Sequence, residues 1–340
     1  MAAVGGWGAR PHLKGGIAAL FLFFILCGTG QATPPPQPAQ PRVVEVGIYI
    51  SNLFDINYVA GSYKISFWLW FKSDDEKSEP EKQIEIIGGR DIKIEAIATE
   101  RLADGRFYRS AKYTATINQV WDVRWYPFDT QKLKVVIESA SDDAEQLKFV
   151  VDSKGSRFDK NVALPGWRFR SLDVQEGYSV YETDFGIGNG AKSIYPKIST
   201  TITLDHEGSS VFSTAFLGFF VADLLTGVTL FVESFEVTRM AIPLIGRLNM
   251  VVGSLFGAVG NKYVVDNSLP PRPDFSLSDL VQITAFSAIG VSLFTVIGTE
   301  TLMRLGYSPA LVSAVARSGV GLYLASQVGL GAYFLGNASE

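Results

Sequence analysis

Residues 211–232 read VFSTAFLGFFVADLLTGVTLFV, and Asp223 is the one charged residue in this run. A helix rises about 1.5 Å per residue, so the run is long enough to cross a hydrocarbon layer of about 30 Å. Three further apolar segments follow it. The sequence therefore predicts a transmembrane domain over residues 210–336, with four helices at about 211–232, 247–265, 279–302 and 310–335.

The chain before this domain alternates in the way that is typical of β-strands. In residues 64–71, KISFWLWF, the apolar odd-numbered positions share one face, whereas Trp68 and Trp70 lie on the other. Similar runs occur at 44–50, 92–98, 113–117, 132–138, 167–172 and 194–204, with glycine- and proline-containing turn signals between them. About ten short strands without a helical stretch predict a β-sandwich domain over residues 42–209.

The N-terminus is predicted to be a signal peptide, residues 1–32. Its apolar run at 17–27 is preceded by Arg10 and Lys14 and is too short to span a bilayer, and Gly30 and Ala32 suit a cleavage site. An anchor helix is the alternative. Residues 33–41, TPPPQPAQP, indicate a stiff proline-rich linker.

Export of the sandwich sets the expected topology. Arg239 and Arg247 fall between the first two predicted spans and Arg304 between the last two, so the basic residues mark cytoplasmic connections. We therefore expect a multi-pass protein of the cell inner (plasma) membrane, surrounded by the lipid bilayer, with its N-terminal domain in the periplasm or extracellular space.

Composition excludes several classes of function. A net charge of −4 disfavours nucleic acid as a partner, because binding to phosphates needs a basic surface. One cysteine, Cys27, and two histidines, His12 and His206, rule out a cysteine-based zinc site or a thiol nucleophile. The adjacent carboxylates Asp142 and Asp143 would point to opposite faces of a strand and make a poor acid–base pair. Neither an enzyme nor a cofactor is expected.

The second predicted span differs from the other three in its small and polar residues. Asn249, Gly253, Phe256, Gly260, Val264 and Asn267 are spaced 4, 3, 4, 4 and 3 apart and form one stripe on a helix. Small residues at such spacing are also typical of close helix packing. The second interpretation is a pore, in which copies of the helix surround an axis and one bulky ring closes the path. Phe256, large and central, is the predicted gate; Asn249 and Val264 are the alternatives.

A further segment carries a resemblance to a known family. Residues 122–131, DVRWYPFDTQ, resemble the Pro-Phe-Asp loop of the pentameric ligand-gated ion channels, and an exported sandwich followed by four helices is also their organisation. Residues 253–256 and 260–266 are similar to a prokaryotic branch of that superfamily. The two cysteines of the animal receptors are replaced by Gln119 and Leu133, so the loop is expected to be held by packing alone. The arginine that the family usually carries after strand ten is replaced by Asp205-His206-Glu207, which puts the charge coupling there in question.

The resemblance implies a homopentamer, gated by a small-molecule agonist and passing permeant ions through a pore lined by the second helix. It implies coupling residues between the two domains, namely Phe54, Asp55, Tyr126, Pro127, Phe128, Asp129, Leu269 and Pro270. Ordinary packing is the alternative role for Tyr126 and Phe128. The implied ligand-binding residues, around a hairpin at about 181–196, are Trp68, Trp70, Tyr108, Arg109, Phe185 and Tyr195.

Exposed aromatic side chains around such a pocket would suit a cationic amine. Burial of Trp68 and Trp70 in a subunit interface without a ligand is the alternative. The acidic run with Asp74, Asp75 and Glu76 offers weak calcium ligands, although a solvated loop explains it equally well.

Charge selection is the last expectation. Glu233 and Glu236 are the nearest acids before Arg247, and Asp266 lies at the outer end of the same span. Five pore-facing guanidinium groups would repel one another, so we expect Arg247 to turn toward the cytoplasmic interface and the channel to conduct cations. The alternative function is a membrane-tethered, exported binding or sensor module whose helices oligomerise without conducting.

Overall fold

The computed structural model describes residues 40–188, 190, 192–270 and 275–337, with the backbone but not the side chains of residues 210, 211, 214 and 337. The predicted signal peptide and nearly all of the predicted linker lie outside these residues. Ten strands come first in the described chain: β1 Arg42–Asn57, β2 Ser62–Ser73, β3 Ile84–Ile86, β4 Gly89–Arg101, β5 Phe107–Asn118, β6 Thr130–Ser139, β7 Leu147–Val151, β8 Arg157–Phe158, β9 Trp167–Tyr181 and β10 Ser193–His206. Five helices follow: α1 Gly208–Ser234, α2 Glu236–Ala241, α3 Leu244–Ser268, α4 Leu277–Arg304 and α5 Pro309–Asn337.

The strands form two sheets. One has the order β4-β5-β2-β1-β7, with β8 also pairing to β1, and the other has the order β3-β6-β10-β9. Neighbouring strands in each path are antiparallel, except that β7 and β8 run parallel to β1. Two sheets before a set of helices confirm the predicted order of a strand-rich domain followed by a helical one.

The predicted alternation in β2 is visible in its burial. Ile65, Phe67 and Leu69 are fully buried and join the side chains of the second sheet in one apolar core, whereas Trp68 and Trp70 on the opposite face are half-buried. Complete burial of one such side chain contributes about 1.5–3 kcal/mol. The period of two therefore places the core between the sheets.

Each of the four long helices contains one of the predicted segments. Two stretches, Ala215–Ser234 and Leu277–Arg304, are long and apolar enough to cross a membrane, each with a mean hydropathy of 2.0. The short helix α2 was not predicted. It begins after Phe235, which has an extended backbone, and Pro243 is the N-cap of α3.

Candidate functional site

Helix α3 has two faces. The six residues of the predicted stripe all lie on the exposed face of this single chain, and the Phe256 side chain is 73% exposed. On the other side, the buried residues follow the same helical spacing: Arg247, Val251, Ser254, Ala258, Asn261 and Val265. The chain thus covers one face of α3 with its own helices and leaves the small and polar stripe uncovered.

Asn261 fixes the rotation of α3 against α1. Its side-chain amide donates to the carbonyl of Ala215 at 2.5 Å and accepts from the N–H of Gly218 at 3.0 Å. A Cβ at position 218 would overlap the Asn261 amide, so only glycine allows this approach. The sequence marks Asn261 as an unusual polar residue of the span, but its partners lie 43 and 46 positions away and cannot be found from spacing.

Arg247 lies inside the helix bundle, with 3% of its side chain exposed. Its guanidinium donates to Glu233 at 2.5 Å and to Glu300 at 2.8 Å, and the second oxygen of Glu233 accepts from Thr299 at 2.7 Å. Glu300 also pairs with Arg304 at 2.9 Å. Arg247 therefore lies on the buried face of α3 and not in the stripe, and its turn toward the cytoplasmic interface stays a prediction.

The loop between β5 and β6 contacts three helices. The carbonyl of Arg124 accepts from the N–H of Leu277 at the start of α4, at 2.7 Å. The Phe128 ring lies 5.3 Å from Phe212 of α1 and 6.0 Å from Phe334 of α5. The contacts place the predicted coupling residue Phe128 where the sandwich meets the helices.

Other predicted coupling residues also lie at this junction. Gly208, at the start of α1, approaches the Pro127 carbonyl so closely that a Cβ would overlap it. Tyr126 is buried, and its peptide bond to Pro127 is cis. Leu269 is buried at the C-terminal end of α3, and Pro270, which follows it, is half-buried.

Asp129 is the polar centre of the junction. Its buried carboxylate accepts from the Tyr58 hydroxyl at 2.5 Å and the Gln131 amide at 2.6 Å, and it meets the His206 imidazole at 3.0 Å. Burial and the negative charge of Asp129 raise the pKa of Tyr58 far above its usual range. The carboxylate is thus met by a histidine from the position where the resemblance implied an arginine.

The sequence predicted that packing alone holds the β5–β6 loop. This prediction is wrong, because two side-chain amides also bond across the loop. The Gln119 side chain donates to the carbonyl of Lys132 at 3.3 Å, and Gln131 donates to the carbonyl of Asp122 at 2.7 Å. Side-chain hydrogen bonds therefore help to hold this loop. The loop between β1 and β2 reaches the junction through Tyr58, which the sequence did not single out. Of the coupling residues predicted nearby, Asp55 pairs with Lys64 at 2.8 Å, and Phe54 is half-buried within β1.

Three aromatic rings meet at the hairpin that joins β9 to β10. Tyr181, Phe185 and Tyr195 have centroids 5.4–6.2 Å apart. The Tyr181 hydroxyl donates at 2.8 Å to Glu138, whose side chain is buried and whose second oxygen has no hydrogen-bond partner in the described chain. We call these three rings with Glu138 the hairpin cluster. Tyr181 and Glu138 were missed in the sequence because neither interrupts the alternation of its strand.

The tip of the hairpin is organised by one carboxylate. Asp184 accepts from the N–H groups of Gly186, Gly188 and Gly190 at 2.9–3.0 Å. These backbone donors hold the pKa of Asp184 below its usual range. A cavity of about 240 Å³ lies beneath the tip, lined in part by Lys192 and Tyr195.

The remaining predicted ligand residues lie on the other sheet. The Trp70 indole donates to Asp152 at 3.1 Å, and Arg109 pairs with the buried Glu81 at 3.3 Å. Trp68 and Tyr108 are half-buried on β2 and β5. One chain therefore does not bring these four side chains into the hairpin cluster.

Part of the acidic run contacts basic side chains. Asp75 pairs with Arg42 at 3.3 Å, and the carbonyl of Glu76 accepts from Arg109 at 3.1 Å. Among the residues that the structure describes, no three side chains of the metal-ligating types cluster, so Asp74, Asp75 and Glu76 remain weak calcium candidates from sequence.

Comparison with known proteins adds one relative. No protein-family model matches the chain. Over 308 residues, the chain is 20% identical to a proton-gated ion channel of Gloeobacter violaceus, and the alignment covers 84% of this chain and 80% of the relative. The relative's name describes an ion channel.

Proposed function

We propose that the chain forms a homopentameric ion channel opened by an agonist, and the similarity to the Gloeobacter channel supports this, together with the resemblance to the prokaryotic pentameric ligand-gated channels. The observation that carries the proposal is the division of α3 into two faces. One face is fixed to the chain's own helices by Asn261 and Arg247, while Gly253, Phe256 and Gly260 stay uncovered. Five copies around an axis would cover that stripe and line a water-filled path with it.

The four long helices are the proposed membrane spans, with the sandwich in the periplasm or extracellular space. Support comes from the two strongly apolar stretches in α1 and α4 and from Arg239, Arg247 and Arg304, which fall at the ends opposite to the sandwich. A lipid bilayer of an inner membrane would surround α1, α4 and α5. The proposed domains are the sandwich over residues 42–209 and the transmembrane domain over residues 210–336.

Phe256 is the proposed gate. A ring of five phenyl groups with glycines about one helical turn away on each side would be the narrowest apolar part of the pore. Water leaves such a constriction because the wall offers no hydrogen bonds, and ions then meet a desolvation barrier.

Cations are the proposed permeant ions. Arg247 forms ion pairs with Glu233 and Glu300 inside the bundle. Its positive charge therefore contributes little to the electrostatic potential along the pore axis. At the outer end, Asp266 pairs with Lys262, which reduces the contribution expected of an acidic ring there. The case for cations therefore depends on the burial of Arg247.

A small cationic amine is the proposed class of agonist. Aromatic faces attract ammonium groups, and the unpartnered oxygen of Glu138 lies beside Tyr181 in the hairpin cluster. Trp68, Trp70, Tyr108 and Arg109 would approach this cluster only from a neighbouring subunit. Pentamer formation is thus required for the complete predicted site.

Cysteine accessibility tests the pore. The sequence has a single cysteine, Cys27, within the predicted signal peptide, so introduced thiols are the only ones in the mature chain. Gly253→Cys and Ser254→Cys form a matched pair, since these neighbours lie on the exposed and buried faces of α3. In reconstituted bilayers, a charged thiol reagent should block the current of Gly253→Cys and leave that of Ser254→Cys unchanged.

The tethered sensor module gives a different result. It predicts assembly without current for every variant and for the wild type. Particle images that show monomers or dimers in mild detergent, or agonist-treated bilayers without current, would contradict the channel.

A further inference from the structure

His206 occupies an enclosed position between the two domains. It is the last residue of β10 and lies two positions before α1. Its ring stacks on Trp167 with centroids 4.4 Å apart and planes 10° apart, and only 8% of its side chain is exposed. The imidazole is therefore held in one orientation, with Nδ1 against Asp129.

The charged and titratable groups around the ring are few. Asp129 from the β5–β6 loop contacts it directly, and the hydroxyl-bearing rings of Tyr58 and Tyr126 lie 6.1 and 5.7 Å away. Asp205 precedes His206 on β10 and pairs with Arg170 of β9 at 2.9 Å. Glu207 follows it, and Arg168 of β9 lies opposite Asp205 in register. In the described chain, Asp129 is thus the acid that a protonated His206 would meet.

The contact between His206 and Asp129 joins two connections from the sandwich to the helices. Asp129 closes the loop that touches α1, α4 and α5 through Phe128 and Arg124. His206 leads directly into α1. A proton on the imidazole converts the contact from a hydrogen bond between a neutral ring and the Asp129 carboxylate into an ion pair between two charged groups, which adds a Coulombic attraction.

We propose that His206 and Asp129 form a proton-binding site through which acid strengthens the link between the sandwich and the helices and favours channel opening. The effect on opening rests on the proposed channel function, whereas proton binding does not. Histidine is the side chain whose charge ordinarily changes between pH 5 and 8, so the test covers that range.

Tryptophan fluorescence tests proton binding without any current. A protonated imidazole stacked on an indole quenches its emission, so the full-length protein in nanodiscs should lose fluorescence as the pH falls from 8 to 5. His206→Gln and Trp167→Phe should each abolish this sigmoidal change. Asp129→Asn should retain it with the midpoint lowered by about one pH unit or more, because the imidazolium loses its counter-charge.

A flat wild-type titration, or one that His206→Gln leaves intact, would overturn the site. A midpoint unmoved by Asp129→Asn in protein that still shows the His206-dependent quenching would overturn the role of Asp129.

Currents at a fixed concentration of one small cationic amine, choline, test the effect on opening. We expect wild-type current to increase several-fold from pH 8 to pH 5, and His206→Gln to remove most of that increase. His206→Arg carries a permanent charge and should give a response that is high and independent of pH. Wild-type current that does not change while the fluorescence titrates would overturn the link to opening, and absence of any current would instead contradict the proposed channel.

Discussion

Glu233→Gln is the most informative single substitution in the helical domain. Glu233 is fully buried, and both of its oxygens are engaged, one by Arg247 at 2.5 Å and the other by Thr299 at 2.7 Å. Removal of one partner from a buried ion pair costs about 3–5 kcal/mol, because the other charge loses its compensation. Arg247 keeps Glu300, so we expect the lower end of that range, about 3 kcal/mol.

The assay is thermal denaturation of the detergent-solubilised oligomer, followed by size-exclusion chromatography. At about 2–4 °C per kcal/mol, the midpoint should fall by roughly 6–12 °C. Glu236→Gln is the matched control, since it makes the same chemical change three residues away on an exposed side chain. Its effect should stay within about 0.5 kcal/mol.

A double-mutant cycle separates the pair from general loss of packing. Combined Glu233→Gln and Arg247→Gln should cost clearly less than the sum of the single substitutions, because the double variant leaves no guanidinium behind. Equal midpoints for Glu233→Gln and Glu236→Gln, or strict additivity in the cycle, would refute the assignment of Arg247 to a buried ion pair.

Three further outcomes are expected. Phe256→Ala should give constitutive current or a marked shift toward opening, while Val264→Ala changes conductance less; an assembled Phe256→Ala channel as tightly shut as the wild type would place the gate elsewhere. Under a tenfold salt gradient, the reversal potential should approach the cation value of about 59 mV, and a potential that follows chloride would contradict cation selection. Asp184→Ala should increase hydrogen exchange at the glycines of the hairpin tip. Because the pKa of Asp184 is lowered in the folded chain, its stabilising effect is present above about pH 3.9 and is lost as the pH falls through the lowered value; protection factors, corrected for the intrinsic exchange rate, that acid leaves unchanged would argue against that role.

Local patterns predicted most of the architecture. Alternation in residues 64–71 indicated which side of β2 is buried, and the spacing from Asn249 to Asn267 indicated which side of α3 is left uncovered. Both patterns depend on the geometry of one element, so a single sequence contains them in full.

Contacts between residues on distant elements could not be predicted from local sequence patterns. His206 and Asp129 are separated by 77 positions, and Arg247 and Glu300 by 53. No periodicity relates residues on different strands or helices; their approach depends on how the elements pack. The hairpin cluster was found only in part for the same reason, because Glu138 and Tyr181 belong to strands whose pairing with β10 the sequence does not specify.

The two hydrogen bonds of Asn261 restrict how the bundle can move. They join the side chain of one helix to the backbone of another, at the Ala215 carbonyl and the Gly218 N–H, so no rotamer change in α1 can release them. A spin of α3 about its own axis would break both and strand polar groups where water cannot replace them, at about 1–3 kcal/mol each. We therefore expect α1 and α3 to move together as one rigid unit. Since α1 continues from β10 with one intervening residue, we expect the hinge of such a movement at residues 206–208, outside the bundle.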